Sequence, residues 1–433
     1  MFKLLIGLVL SCMAHSAVVQ EQLFVLEPDF LKIASSRVEL TIDHVSPEGF
    51  ELYGPKGTKK WLEQLGVKHS TVQSVHKHSK SFSNSGYPTF EQITSSLKSL
   101  AKKYPDIMSL ESIGKTVEGR ELWMVKISDN VSVDETEPEF KYISSMHGNE
   151  ITGRELTQFF IKDLLEGYGK DARITSLINN TELFVMPSMN PDGSKRKRRG
   201  NANWVDLNRN FPDWTKGDAN SWTKRQPETV AVMKLHTKRN FALSANFHGG
   251  AVVVNYPWDS THDRHPLDAL VRELSLRYAQ ENYPMRTSRE FKDGVTNGAD
   301  WYKLHGGMQD WSYFWHNDLQ VTVELSDSKW PNYSDIKGHY EDNKESMMVF
   351  AESIHQGAGF KFKSSKTEGT VKITKLSPER KNLGSYGFSR GEFYKVLAPG
   401  KYRFEVNSAG KKTSFETNVE FGVSKANGNY TQI

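Results

Sequence analysis

The 433-residue chain predicts an α/β protein, a mixed and largely parallel sheet flanked by helices, followed by a small all-β unit. Three observations carry that prediction. Strand-like runs alternate with helix-period segments between about residues 87 and 356, the pattern of a sheet with helices on its faces. Helix-start signatures of the capping-box kind recur inside that stretch. After about residue 357 the texture changes to short alternating segments split by turn residues such as Pro399-Gly400.

Taken in order, residues 1–17 read as a secretory signal: Lys3 starts it, Leu4 to Met13 is apolar, and Ala14-x-Ser16 supplies small residues for cleavage. The expected location is secreted or periplasmic. Cys12, the one cysteine, lies inside that segment, so the mature chain holds no disulfide and no thiolate ligand or nucleophile. Lipidation at Cys12 is disfavoured because the apolar run before it is short. No later stretch approaches the ~18 apolar residues of a membrane span. Net charge is +4, with 37% hydrophobic and 25% charged residues, which argues against nucleic-acid binding. A monomer is expected.

Residues 18–80 read as a small separate unit. Val38 to Ile42 and Gly49 to Tyr53 are strand-like, Lys59 to Leu65 is helix-like, and a Ser/His/Lys-rich linker runs from Lys68 to Ser85. The main domain, residues 87–356, opens with a capping box at Thr89 and Gln92 for a helix whose apolar face is Phe90, Ile93, Leu97 and Leu100. Strands follow at Leu122–Ile127, Phe140–Ser145, Leu183–Pro187, Leu243–Phe247 and Val321–Leu325. A second capping box is expected at Thr152 and Glu155. The final unit, residues 357–433, carries strands at Thr370–Thr374, Gly391–Val396 and Lys401–Val406.

Ligands of such sheets bind beyond the carboxyl ends of the strands. His147 and Glu150, in His147-Gly148-Asn149-Glu150, follow one strand; His248 ends another; Glu324 ends a third. Two ligands close in sequence plus a distant third is a common zinc arrangement, and a separate carboxylate must take the proton from a zinc-activated water. Each piece alone has a plainer reading. His147 and Glu150 could cap the helix near Thr152, and a lone strand-end histidine is usually structural. Glu324 ends an apolar strand, where burial is costly without a partner or a role. In Asp206-Leu207-Asn208-Arg209, an arginine fork beside an amide suits a free carboxylate.

Taken together, the chain resembles the M14 zinc carboxypeptidases, and within them the N/E (regulatory, carboxypeptidase D/E/M/N-like) subfamily. The stretches that carry the resemblance are Met146 to Glu150 with Gly153-Arg154-Glu155, Met186 to Gly193, Asp206 to Asp213, Ala245 to Pro257, Asn297 to Tyr302, Gly306 to Asp310 and Thr322 to Leu325. The resemblance as a whole covers roughly residues 87 to 425. The resemblance implies one zinc held by His147, Glu150 and His248, with Glu324 as general base. It implies that Arg199 polarises the scissile carbonyl, although the run Lys195-Arg196-Lys197-Arg198-Arg199 leaves Arg198 as an alternative. Asn208 and Arg209 would hold the substrate carboxylate and Tyr302 would close over the bound residue. Asp259 and Gln309 would line the pocket for a basic side chain.

Residues 18–80 depart from that subfamily and loosely resemble the pro-segments of other M14 enzymes, which implies an inhibitory or folding-assisting prodomain. The last unit resembles the subfamily's transthyretin-like domain. Asn130, Asn179, Asn332 and Asn429 begin glycosylation sequons. The expected activity is removal of C-terminal Lys or Arg from peptides. Two readings compete with it: a carboxypeptidase of diaminopimelate-containing cell-wall peptides, and a peptide-binding homologue without catalysis. No Gly-x-Ser-x-Gly is present, which speaks against a serine hydrolase.

Overall fold

The computed structural model describes residues 19–37, 39–71, 86–421 and 429–433. The expected signal, Cys12 and most of the Ser/His/Lys-rich linker lie outside them. Strands β1 (Glu21–Val25), β2 (Thr41–Ser46), β3 (Gly49–Gly54) and β4 (His69–Thr71) form a four-stranded antiparallel sheet in the order β2-β3-β1-β4. Helices Leu31–Ser35 and Thr58–Gln64 accompany that sheet, and Phe30, Phe50, Leu52 and Leu62 fill its core. The N-terminal unit thus has its own apolar interior.

The central sheet has eight strands: β5 (Met108–Lys115), β6 (Glu121–Ile127), β7 (Glu139–Ser144), β8 (Glu182–Met186), β9 (Phe241–His248), β10 (Val252–Tyr256), β11 (Val295–Asn297) and β12 (Leu319–Leu325). Their order is β11-β10-β12-β9-β7-β8-β6-β5. The middle four, β12-β9-β7-β8, run parallel, and antiparallel partners flank them. Every residue of those four strands is buried, because helices cover both faces. Helices Thr152–Gly167, Asp268–Glu281 and Ile336–Glu352 contribute Phe160, Leu274 and Phe350 to one side. Val232, Phe211 and Trp311 pack on the other.

From β7 the chain returns to the sheet on one side through β8, while β9 lies on the other side. The strand order therefore reverses between β7 and β9, and the crevice beyond their carboxyl ends is where an open α/β sheet receives ligands. Five of the expected strands lie within this sheet, each with its ends within two residues of the expected ones. β5, β10 and β11 had no sequence expectation.

The helix Phe90–Lys103 carries the expected capping box, with Thr89 and Gln92 each bonded to the other's backbone. The second one is not formed. Thr152 lies inside its helix and shares a hydrogen bond with Ser326 at 2.9 Å, while Glu155 pairs with Arg154 at 2.7 Å. A distant hydroxyl and a neighbouring guanidinium thus take the two side chains in place of the local cap.

After the central sheet come β13 (Gly357–Lys361), β14 (Gly369–Ser377), β15 (Lys381–Phe388), β16 (Glu392–Val396), β17 (Gly400–Ser408), β18 (Lys411–Val419) and β19 (Tyr430–Gln432). They form sheets of order β16-β13-β19 and β15-β14-β17-β18 around Phe360, Val371, Phe393 and Phe404. Tyr394 and Gln356 bind across to the end of the preceding helical segment and to Leu397.

Candidate active site

The site starts from a tight turn. His147 comes three residues after β7, and the backbone N–H of Glu150 donates to the His147 carbonyl at 3.2 Å. Ser145 Oγ donates to the Glu150 carbonyl at 3.0 Å, which locks the turn so that both side chains point one way. His248 is the last residue of β9, and Glu324 lies directly opposite it on β12.

His147 Nδ1 and His248 Nδ1 are 3.0 Å apart, and Glu150 Oε2 is 3.1 and 2.8 Å from them. All three side chains are buried. His147 Nε2 faces Asp206 Oδ1 at 3.0 Å. The carboxylate accepts the Nε2 proton, which leaves the Nδ1 lone pair directed at the other two ligands. Two imidazole lone pairs and a carboxylate converging in a buried space are unfavourable unless a cation or protons lie among them. His147, Glu150 and His248 form one of the clusters spaced to hold a metal ion. With two nitrogen donors and one carboxylate, this set fits zinc with an open coordination position.

The electrostatics follow from the same contacts. Burial pushes the Glu150 carboxyl up, but His147 and His248 outweigh it and hold it well below the usual range. Asp206 is likewise held low against burial, by Arg199 and then His147. Glu324 goes the other way. Burial, then the Glu150 and Asp43 charges, push its carboxyl well above the ordinary value, and its Oε2 is buried without a partner.

Arg199 is buried at the centre: Nε donates to Asp206 Oδ2 at 2.8 Å, and Nη1 reaches Glu150 Oε1 at 3.3 Å and Asp43 Oδ2 at 2.5 Å. Arg198 turns away, donating to the Asn201 carbonyl and stacking on Trp204. Of the two arginines left open by the sequence, Arg199 is the one beside the metal-ligand cluster. Asn208 binds Asp206 through its N–H and accepts from Met308 N–H, both near 3 Å. Its neighbour Arg209 donates to the carbonyls of Asn208 and Ile42.

Asp259 and Gln309 meet at 3.0 Å, with Asn255 donating to the same Asp259 oxygen at 3.0 Å. A Cβ on Gly298 would lie 1.8 Å from that oxygen, so only glycine leaves room for the carboxylate. Burial, then the neighbouring Asp310, push the Asp259 carboxyl well above its usual value.

Four participants had no assigned role in the sequence. Asp206 lay within a quoted motif, so its signal was present. Lys329 is buried and reaches Asp43, Glu51 and Tyr53 at 2.6–3.0 Å. Asp43 and His44 come from β2 of the N-terminal unit. Tyr302 OH donates to Asp43 Oδ1 at 2.7 Å, Trp301 Nε1 donates to the Val45 carbonyl, and His44 packs edge-on against Trp301. His44 also lies over Gly250, where a Cβ would fall 2.1 Å from its ring. Burial raises the Asp43 carboxyl, yet Arg199 and Lys329 prevail and hold it well below the usual range.

Residues 93–346 match the Peptidase M14 family, described as zinc carboxypeptidase. Human carboxypeptidase D is 37% identical over 396 residues, covering 86% of this chain and 28% of that protein. Mouse carboxypeptidase M is 37% identical over 341 residues, covering 72% of this chain and 76% of that protein. The chain thus spans little more than a quarter of carboxypeptidase D. Carboxypeptidase A from Helicoverpa armigera has a similar fold, with a TM-score of 0.61 at 19% identity, covering 78% of this chain and 97% of that one.

Because Asp206 fixes the ring of His147, Asp206→Ala is expected to weaken zinc binding ~10–100-fold. Competition with a chromophoric chelator measures it, and an unchanged affinity would show that the ring is oriented by something else.

Proposed function

Because this chain belongs to the zinc carboxypeptidase family, we propose that it hydrolyses the C-terminal peptide bond of peptides and releases Lys or Arg. The observation that carries the basic preference is the buried Asp259, with Gln309 beside it and no cation in salt-bridge contact among the described residues. His147, Glu150 and His248 would hold the zinc, which would supply a nucleophilic water at neutral pH and polarise the carbonyl.

The chain's residues do the rest. Glu324 accepts the proton of that water and passes it to the leaving amine. Arg199 opposes the negative charge that grows on the carbonyl oxygen, where electrostatic stabilisation is usually the largest contribution. Asn208 and Arg209 hold the substrate carboxylate, and Tyr302 closes over the terminal residue. A Lys or Arg side chain gives Asp259 the counter-charge that burial denies it. Residues 87–356 are the catalytic unit and residues 357–433 a structural β unit. Export rests on the signal-like residues 1–17. No helix among the described residues is long and apolar enough to cross a membrane.

Residues 18–80 act as an inhibitory prodomain. Its support is that β2 occupies the cleft with charges the substrate would bring. Asp43 engages Arg199, Tyr302 and Lys329, and the Ile42 carbonyl takes Arg209. A peptide cannot reach those groups until β2 withdraws. Withdrawal also removes one of the charges that raise Glu324, bringing its carboxyl closer to the ionised state a base requires.

Four measurements test these assignments. Glu324→Gln should retain zinc and lose nearly all turnover; substantial activity would refute the base. Asp259→Ala should cost ~2–5 kcal/mol in kcat/KM on Arg-terminated peptides and far less on Leu-terminated ones. In the parent enzyme, selectivity for Arg over Leu should fall on acidification, since protonation of a carboxyl whose pKa is already raised removes the attraction. Equal losses on both substrates would make Asp259 structural. Asp43→Ala in the full chain should raise kcat/KM at least tenfold, and an unaltered rate would mean that β2 does not block the cleft.

A further inference from the structure

At the opposite end of β7 from His147, the connection from β6 carries Asp134, which pairs with Arg390, and three further carboxylates that the hydrolytic site does not use. Asp129, Glu135 and Glu137 bring one oxygen each to within 4.8 Å of one another. Two oxygens on opposite sides of one calcium ion, each at about 2.4 Å, would be about 4.8 Å apart. Spacing alone is common among acidic residues. The second observation is burial without partners: Glu137 is only 6% exposed, and its Oε2 is enclosed with no hydrogen-bond donor. Asp129 and Glu135 are less buried, and the Glu135 carboxyl interacts with Asn130 and Asp129, but one oxygen of each, Asp129 Oδ1 and Glu135 Oε2, is enclosed without a donor among the described residues.

We propose that Asp129, Glu135 and Glu137 form a binding site for a hard divalent cation, of the calcium class, that pins the β6–β7 connection to the sheet. The surrounding cations are already committed elsewhere. Lys126 Nζ donates to Glu182 Oε1 at 2.7 Å and to the Val133 carbonyl at 2.8 Å. Glu182 Oε1 also accepts the Glu135 backbone N–H at 3.1 Å, so it adds negative charge beside the cluster. Lys361 Nζ reaches the Glu135 carbonyl rather than its carboxylate, and pairs with Glu392. Burial and then the Asp129 and Glu135 charges push the Glu137 carboxyl up to about 8, as expected of a group lacking its counter-ion. An all-oxygen set drawn from one short connection suits calcium, whose six to eight ligands are completed by carbonyls and water, better than zinc or magnesium. The inference stands apart from the peptidase reading, since none of these residues touches the cleft described above.

The test uses the full, zinc-loaded chain. Calorimetric titration with calcium and terbium luminescence excited through tyrosine should report one saturable site per chain, with calcium displacing terbium. Tyr168, which feels the Asp129 charge, is a suitable sensitiser. Glu135→Gln and Glu137→Gln should each weaken calcium binding at least tenfold, and calcium should raise the melting temperature of the parent but not of the double variant. Anomalous diffraction from terbium-soaked crystals of the parent should place the ion among the three carboxylates, a readout that does not depend on any variant folding. The proposal is overturned if the parent shows no saturable site, or if the double variant binds calcium as the parent does. It is also overturned if that variant melts higher than the parent equally with and without calcium, for the carboxyls would then share protons instead.

Discussion

Both oxygens of the Asp206 carboxylate are in use, and the candidate site is organised around them. Oδ1 takes the His147 Nε2 proton and the Asn208 N–H, while Oδ2 takes Arg199 Nε. One buried anion thereby sets the tautomer of a candidate metal ligand, the direction of a guanidinium and the turn that carries Asn208 and Arg209. Asp206 is fully buried, so its charge is stable only because Arg199 and His147 compensate it. His147, Arg199 and the turn at Asn208 are consequently not independent: disturbing one affects the contacts of the others.

The sheet makes that hub possible. The order of β12-β9-β7 puts the turn after β7, the end of β9 and Glu324 of β12 side by side, although they are far apart in the chain. Glu324 and His248 are register partners, so the separation of proposed base and metal ligand is a property of strand pairing and not of flexible loops. Positions set by a backbone ladder vary little, which suits chemistry that depends on placement to fractions of an ångström.

The N-terminal unit brings a second charge system into the same space. Lys329 and Arg199 are buried cations whose nearest carboxylates include Asp43 from β2, and Lys329 also binds Glu51 from β3. In this arrangement the cleft is electrostatically satisfied by the chain's own N-terminal segment. A buried cation that loses such a partner must find another or be hydrated, so the fit that closes the cleft also prepares it to attract an anionic group. At the far end of β7, by contrast, the enclosed Glu137 Oε2 has no such partner among the described residues.

The sequence alone determined the alternation of strands and helices, the β-rich C-terminal unit and the residue types of the metal cluster, because periodicity, turn residues and short motifs are local properties. It located the strands that carry His147, His248 and Glu324 to within two residues. It did not assign Asp206 although the residue stood in a quoted motif, since its role exists only once His147 and Arg199 arrive from elsewhere. It left Arg198 and Arg199 undivided, and only the turn before Asn201 decides which of them faces Glu150. The box expected at Thr152 failed because Ser326, 174 residues away, takes its hydroxyl. Asp43 carried no signal at all, since a single acid in a short strand gains meaning only when docking brings it against Arg199 and Lys329. Local preference is written residue by residue, whereas burial, charge pairing and strand order belong to the folded whole, and those decided the geometry of the site.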